Sequence, residues 1–525
     1  MKNYIFLFSM FINLLLTANG VQITTPSLIN RDITANTYMV QFSISWQNSW
    51  KISTGAANYD ACWVFVKFRK KASVSATFSD WKHATFSTTG NYAPTTATLK
   101  PTADGKGCFI YASANFAQAN VSYSNIQLKW KYGADLVADN DIIDFRIYAI
   151  EMVYVPSGAF YVGDGGTTSI QGNFEVGKSN TPFQITSESS ITLGGGGSTS
   201  LGNNNAIGMA TPDDFNDATA KTLPAAFPKG FAAFYMMKYE VTQEQYVEFL
   251  NKLTRTQQSS RIATAISTSA TSVTNRFVMS YTTAVSARNG IRCNASIPSN
   301  SPITFYCDLS ADGVSNETDD GQSISCNYLG VPDMCAYLDW SALRPMTELE
   351  FEKACRGNQT AVANEFAWGT ATATLCTGIS NAGTANEVPS NASANTTAMS
   401  NFSGPTRVGC FGNTVNSRVS SGASYYGIMD LSGNNWERPV SVGDPTARLF
   451  TALNGDGCLS ASGTHNVLNW PDAIATGCGY KGGRWRDSGG GSTYQEHRVS
   501  NRQFAVDWDA ARSDNDGIRG VRKAE

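Results

Sequence analysis

The 525-residue chain carries 39 Lys and Arg against 42 Asp and Glu, a net charge of −3, and is 42% apolar but only 15% charged. That length allows about two to four domains, and so apolar a chain is not disordered by charge. No basic run or stripe is present to neutralise phosphates, so nucleic acid is not an expected partner.

In chain order, Lys2 precedes an apolar run from Tyr4 to Leu16, and Thr17-Ala18-Asn19-Gly20 follows. This is the layout of a secretory signal peptide, expected over residues 1–20. The run of about 13 residues is short of the roughly 20 that span a bilayer. The expectation is export to the periplasm, the surface or the surroundings of a bacterial cell, with no transmembrane segment after cleavage. Eleven cysteines in an exported chain permit disulfides, with an odd one left over. Proximity pairs Cys62 with Cys108, Cys293 with Cys307, and Cys458 with Cys478.

Residues 21–150 read as an all-β, sandwich-like domain. Tyr38 to Trp46 alternates apolar and polar residues, and further strands are expected at 62–68, 84–87, 108–112, 126–132 and 142–150. A second unit, 151–525, opens on Met152 to Gly163 and is rich in Gly, Ser, Thr and Asn loops. Thr242-Gln243-Glu244-Gln245 is a capping box, and Tyr246, Phe249, Leu250 and Leu253 give the following helix one apolar face. Thr347-Glu348-Leu349-Glu350 repeats that box, and Gly357 supplies a stop. Residues 254–330 and 369–425 lack periodicity and are expected to be ordered loops held partly by disulfides.

Several motifs, in order, resemble the formylglycine-generating enzyme (sulfatase-modifying factor) family: Val153 to Gly163, Phe234 to Thr242, Leu343 to Gly357, Phe366 to Gly369, Tyr426 to Glu437, Gly482 to Trp485 and Gly517 to Arg519. The resemblance implies a loop-rich α+β fold of the C-type-lectin-like kind over 151–525. The family's oxidase uses two cysteines just after the Gly-Gly motif to bind copper(I), as soft thiolates do. Here Gly482-Gly483-Arg484-Trp485 is followed by no cysteine, and none occurs after Cys478. No copper is therefore expected, and the reading is of a pseudoenzyme that recognises a surface glycan or envelope protein. The alternative is a metal-dependent oxidase of the formylglycine-generating type, or another enzyme using the same cleft. An iron-dependent branch of the family uses clustered histidines, whereas His83, His465 and His497 are scattered.

The resemblance also implies calcium ligands in Gly433-Asn434-Asn435-Trp436-Glu437, where Asn434, Asn435 and Glu437 offer hard oxygens, and a second site at Asn381 with the carbonyl of Ala382. Alternatively this turn only packs Trp436 over a buried Asn network. Between Trp485 and Gly517, aromatics and Arg mingle with short polar residues on a Gly/Ser frame, as recognition surfaces do. Arg486, Tyr494, Arg502, Phe504 and Trp508 are the expected ligand-binding residues. Carboxylate pairs such as Asp213 with Asp214, Asp319 with Asp320, or Glu348 with Glu350 are read as solvated faces or caps.

Overall fold

The computed structural model describes residues 20–166, 170–204, 208–315, 317–397, 403–412, 417–486 and 495–525. The expected signal peptide, apart from Gly20, lies outside the described residues. Among those described, no helix is long and apolar enough to cross a membrane.

The N-terminal strands alternate as predicted, but run longer. Thr37–Lys51 pairs antiparallel with Gln22–Ile23, Ser27–Asp32 and Phe116–Trp130 in a four-stranded sheet. A seven-stranded sheet has the order Val521–Lys523, Phe234–Met237, Ile142–Val155, Asp60–Lys71, Cys108–Ala112, Ala97–Pro101, with Lys82–His83 also paired to Asp60–Lys71.

The large sheet is apolar on both faces because alternate side chains of Asp60–Lys71 enter different cores. Cys62, Val64, Val66 and Phe68 pack with Val40, Phe42, Ile44 and Trp46 of the first sheet. Ala61, Trp63 and Phe65 join a second core built from the later part of the chain. The Trp63 indole N–H donates to the Ser341 carbonyl at 2.9 Å, and Phe65 meets Trp340 edge to face at 5.3 Å. The expected boundary at 150 falls inside Ile142–Val155. That strand pairs with Asp60–Lys71 through residues 142–153 and with Phe234–Met237 through 152–155. The N-terminal strands are thus covered by the first sheet on one side and by the region beyond 155 on the other.

Four α-helices are present among the described residues. Helix α1, Gln243–Leu250, starts at the Thr242 capping box and buries Tyr246, Phe249 and Leu250. Helix α2, Arg255–Ser260, follows at once from a second box, Thr254 with Gln257. Helix α3, Val331–Trp340, is buried at nine of its ten positions. Helix α4, Glu348–Arg356, is capped by Thr347 and stopped by Gly357 at φ +70°, ψ −145°. The sequence pattern located α1 and α4 and missed the other two.

The disulfide expectation is corrected: all eleven cysteines are free, and all but Cys458 are buried. Cys62 lies opposite Ile110 and Cys108 opposite Val64, while Cys293 lies opposite Phe305 and Cys307 opposite Ile291. Each pair is therefore diagonal, at roughly 7–8 Å, too far to bridge. Cys458 is exposed whereas Cys478 is fully buried. Polar side chains hold the loops instead. Gln258 donates to the Leu250 and Ile303 carbonyls and accepts from the Ile303 N–H, and Arg288 forks onto Glu387.

Candidate functional site

The Gly433–Glu437 turn sits against the entry to α1, where Glu240 reaches it. Asn434 and Asp430 adopt positive φ, 66° and 62°, which folds the segment tightly enough to turn side chains and main chain inward together. The Glu240 carboxylate accepts from the Asn434 amide and, at 2.9 Å, from the Asn435 N–H. The Asn434 side-chain oxygen Oδ1 accepts from the Thr406 N–H at 2.9 Å and its hydroxyl at 3.3 Å, and the Asn435 side-chain amide donates to the Ser325 hydroxyl at 2.7 Å. Glu437 Oε1 accepts from Arg519 Nε at 2.6 Å, and Arg519 also donates to the carbonyls of Met237 and Met429. Three carboxyls thus surround one guanidinium in a dry interior. Burial raises Glu240 well above the usual range, and Asp430 and Glu437 push it further. Glu437 is raised by burial, with Arg519 opposing. Glu437 Oε2 and Asn435 Oδ1 are buried without a partner. Trp436 packs edge to face on Tyr480 and Phe504.

The expected recognition residues separate into two environments. Trp508 is 41% exposed, Phe504 is half-buried against Trp436, and Arg486 is exposed while pairing with Asp514 at 3.0 Å. Tyr494 lies outside the described residues. Arg502 corrects the expectation, for its guanidinium is fully buried, stacked 4.0 Å over Phe174. It forks onto Asp213 at 2.7 and 3.1 Å and onto Glu348 at 2.7 and 3.1 Å. It is an interior clamp between a loop and the first turn of α4. Asn381 is exposed and bonds within its own loop, to Asn386 and Thr384.

A family comparison settles where this architecture belongs: the sulfatase-modifying factor enzyme 1-like domain matches residues 147–524. The chain belongs to that family. A comparison with curated proteins finds no significant match. The sulfatase-modifying-factor region thus begins within Ile142–Val155, the strand it shares with the N-terminal part.

Within this family domain, the cysteine nearest in sequence to the Gly482-Gly483 motif is Cys478, which burial pushes up to about 12 against the opposing charge of Arg438. It is a buried thiol, not a thiolate. The carboxylates expected on solvated faces are instead paired with arginines, and Asp213, Glu348 and Glu350 are buried: Asp213 turns to Arg502, Asp214 to Arg448, Glu348 to Arg502 and Glu350 to Arg344. Glu317, Asp319 and Asp320 do bring carboxylates within 4.8 Å of one another on a largely exposed loop. His497 is buried, with Nε2 2.9 Å from the Arg484 carbonyl. Sequence reasoning missed Glu240 and Asp430 as members of the turn's network. Both lie inside quoted motifs, and their burial is the signal that composition does not carry.

The turn fits a hard cation in kind, through the unclaimed oxygens of Glu437 and Asn435. The Asn434 side chain is committed to Glu240 and Thr406, and two side-chain oxygens fall well short of the roughly 6–8 ligands calcium takes.

Proposed function

We propose that this is an exported, non-catalytic binding or envelope-structural protein whose family domain recognises a surface glycan or envelope protein. One observation carries the reading: where the family's oxidase has its copper-binding thiolates, this chain has none from Arg484 to Glu525. Copper(I) needs soft ligands, and the arginines, aspartates and aromatics there are not. Among the described residues of that region, Arg486, Trp508, Asp509, Ala511, Lys523 and Glu525 are exposed and Phe504 is half-buried. An exposed aromatic and an exposed guanidinium are the kinds of group that meet the apolar face and hydroxyl rim of a sugar, or a polar protein surface. Calcium in this reading would take Glu437 and Asn435 as its side-chain ligands and would need main-chain oxygens and water for the rest of its shell.

The test combines metal analysis with binding. Purified protein is expected to hold no copper or iron, and to bind glycans or envelope extracts in a way that Trp508→Ala, Phe504→Ala and Tyr494→Ala weaken while folding is kept. Stoichiometric copper or iron, with oxidation of a cysteine-containing peptide, establishes the oxidase alternative. Folded alanine variants that bind as wild type does place recognition elsewhere.

A further inference from the structure

Between the two sheets, three ionisable side chains meet where water is excluded. Lys238 directly follows the Phe234–Met237 strand, and its main-chain N–H donates to the Glu151 carbonyl at 2.9 Å. Its side chain reaches across Ile142–Val155, placing Nζ 2.5 Å from Glu151 Oε1 and 3.6 Å from Asp60 Oδ2. The side chains of Lys238, Glu151 and Asp60 are 4%, 3% and 0% exposed. Glu151 lies opposite Cys62 in register, two residues along the strand from Asp60, so all three project from the face turned to the first sheet. Trp50 and Tyr239 line the cation, their ring centroids 4.8 and 5.4 Å from Nζ, and the Asn48 carbonyl lies at 3.4 Å.

The two carboxyls are not equivalent. Asp60 accepts from the Ser49 hydroxyl at 2.6 Å, the Trp50 N–H at 3.3 Å and the Trp46 indole N–H at 3.0 Å, donors on both oxygens that draw electrons from its carbonyl carbon. Glu151 has Lys238 on Oε1, while Oε2 is buried without a hydrogen-bond partner. Burial foremost raises both carboxyls, with Lys238 opposing, and Glu151 is pushed up to about 8. At neutral pH the trio therefore holds one ammonium, one carboxylate and one carboxylic acid. The resting proton lies on Glu151, and Asp60, held by its three donors, is the carboxylate; passing that proton to Asp60 makes Asp60 the electrophile and leaves Glu151 as the base within reach of Nζ.

We propose that Lys238 and Asp60 are joined by an intramolecular amide bond, formed without any enzyme or cofactor and promoted by Glu151. Glu151 passes its proton to Asp60 and takes one from the ammonium, leaving a neutral amine. The Nζ lone pair attacks Cγ of protonated Asp60. The Nζ–Cγ bond forms and one Cγ–O bond of Asp60 breaks. The departing oxygen leaves as water, with the second Nζ proton and the Asp60 proton. Glu151 ends as a neutral acid. Charge is zero before and after, nothing is oxidised or reduced, and no co-reactant is needed. The product replaces a buried ion pair with a neutral amide, which a dry interior tolerates better. It also staples the Phe234–Met237 strand to Asp60–Lys71 across the strand between them, tying the family domain to the N-terminal strands.

Peptide mapping of the purified full chain decides the matter. After denaturation and trypsin digestion, the expected product is peptide 52–67 linked to peptide 230–252, lighter than their sum by one water and uncut after Lys238. Recovery of unmodified 52–67 and 230–238 as the main species overturns the proposal. Asp60→Asn gives a second, chemically distinct readout, because attack on a carboxamide expels ammonia, so its linked pair is lighter by one ammonia. Glu151→Gln is expected to leave the two peptides separate, and a bond that forms as fully in that variant overturns the role given to Glu151.

Discussion

Replacing Arg502 by Met tests whether this residue is an interior clamp. The side chain makes four hydrogen bonds to carboxylates and a fifth, at 3.1 Å, to the Gly172 carbonyl, all in full burial. Methionine fills a similar volume and supplies none of them. Glu348 would keep the Ser441 hydroxyl at 2.9 Å and the Val442 N–H at 2.7 Å, whereas Asp213 would keep only the Asn203 amide. The same imbalance shows in the intact protein. Burial pushes both carboxyls up, yet Arg502 together with Lys481 and the Val442 N–H brings Glu348 below its usual value, while Asp213 stays raised. Breaking a buried pair from one side costs about 3–5 kcal/mol, mostly from the charge left behind. Urea unfolding should show a loss of that size at pH 8. It should shrink at pH 5, because the stranded carboxyls then bind protons in the folded state and stability returns below their raised pKa values. Adding Asp213→Asn to Arg502→Met should recover about 1 kcal/mol or more by removing the uncompensated charge. A loss under about 1 kcal/mol at pH 8, or a double variant less stable than the single one, would refute the clamp.

Gly357→Ala should destabilise by about 1–3 kcal/mol from backbone strain alone, since φ is +70°. An added Cβ would also sit 2.1 Å from the Tyr425 ring, so thermal denaturation should register a larger loss still. Thr347→Ala removes the oxygen that caps the Glu350 N–H and the hydroxyl that donates to the Pro228 carbonyl, so a urea midpoint shift equivalent to about 1–2 kcal/mol is expected. Burial holds Asp516 up to about 7, above its ordinary 3.8, with Arg438 opposing. Its contribution is complete below about pH 4 and lost as pH rises through 7, so Asp516→Asn should gain stability relative to wild type between pH 6 and 8 in paired thermal scans.

The helices that could be read from the sequence, α1 and α4, announce themselves locally, through a Thr that caps and a Gln or Glu that answers three residues later. Helix α3 could not be read this way. It begins at Gly330 without a side-chain cap and is buried all round, so it has no polar face to set a period. The early strands were visible through alternation. Their partnership with Phe234–Met237 and Val521–Lys523 was not, because pairing across hundreds of residues leaves no local mark. The same limit governed the site. Glu348 looked like an exposed first-turn acid and Arg502 like a surface residue, and each is buried only because the other is there. Cysteines close in sequence looked like partners, but a register offset of two residues separates them.

The large sheet also dictates an order of events. Its edge strand, Val521–Lys523, is the last of the described strands to be synthesised, and it lies beside Phe234–Met237, made nearly three hundred residues earlier. Arg522 crosses from that edge to stack 4.4 Å over Trp63, on one of the earliest strands, while bonding to the Ala342 carbonyl and to Asp104. The sheet therefore cannot be completed as the chain emerges. Until residues 521–523 have been made, the flank of Phe234–Met237 stays open to pairing with another chain. Removing residues 521–523 therefore reaches through Arg522 into the oldest core of the chain.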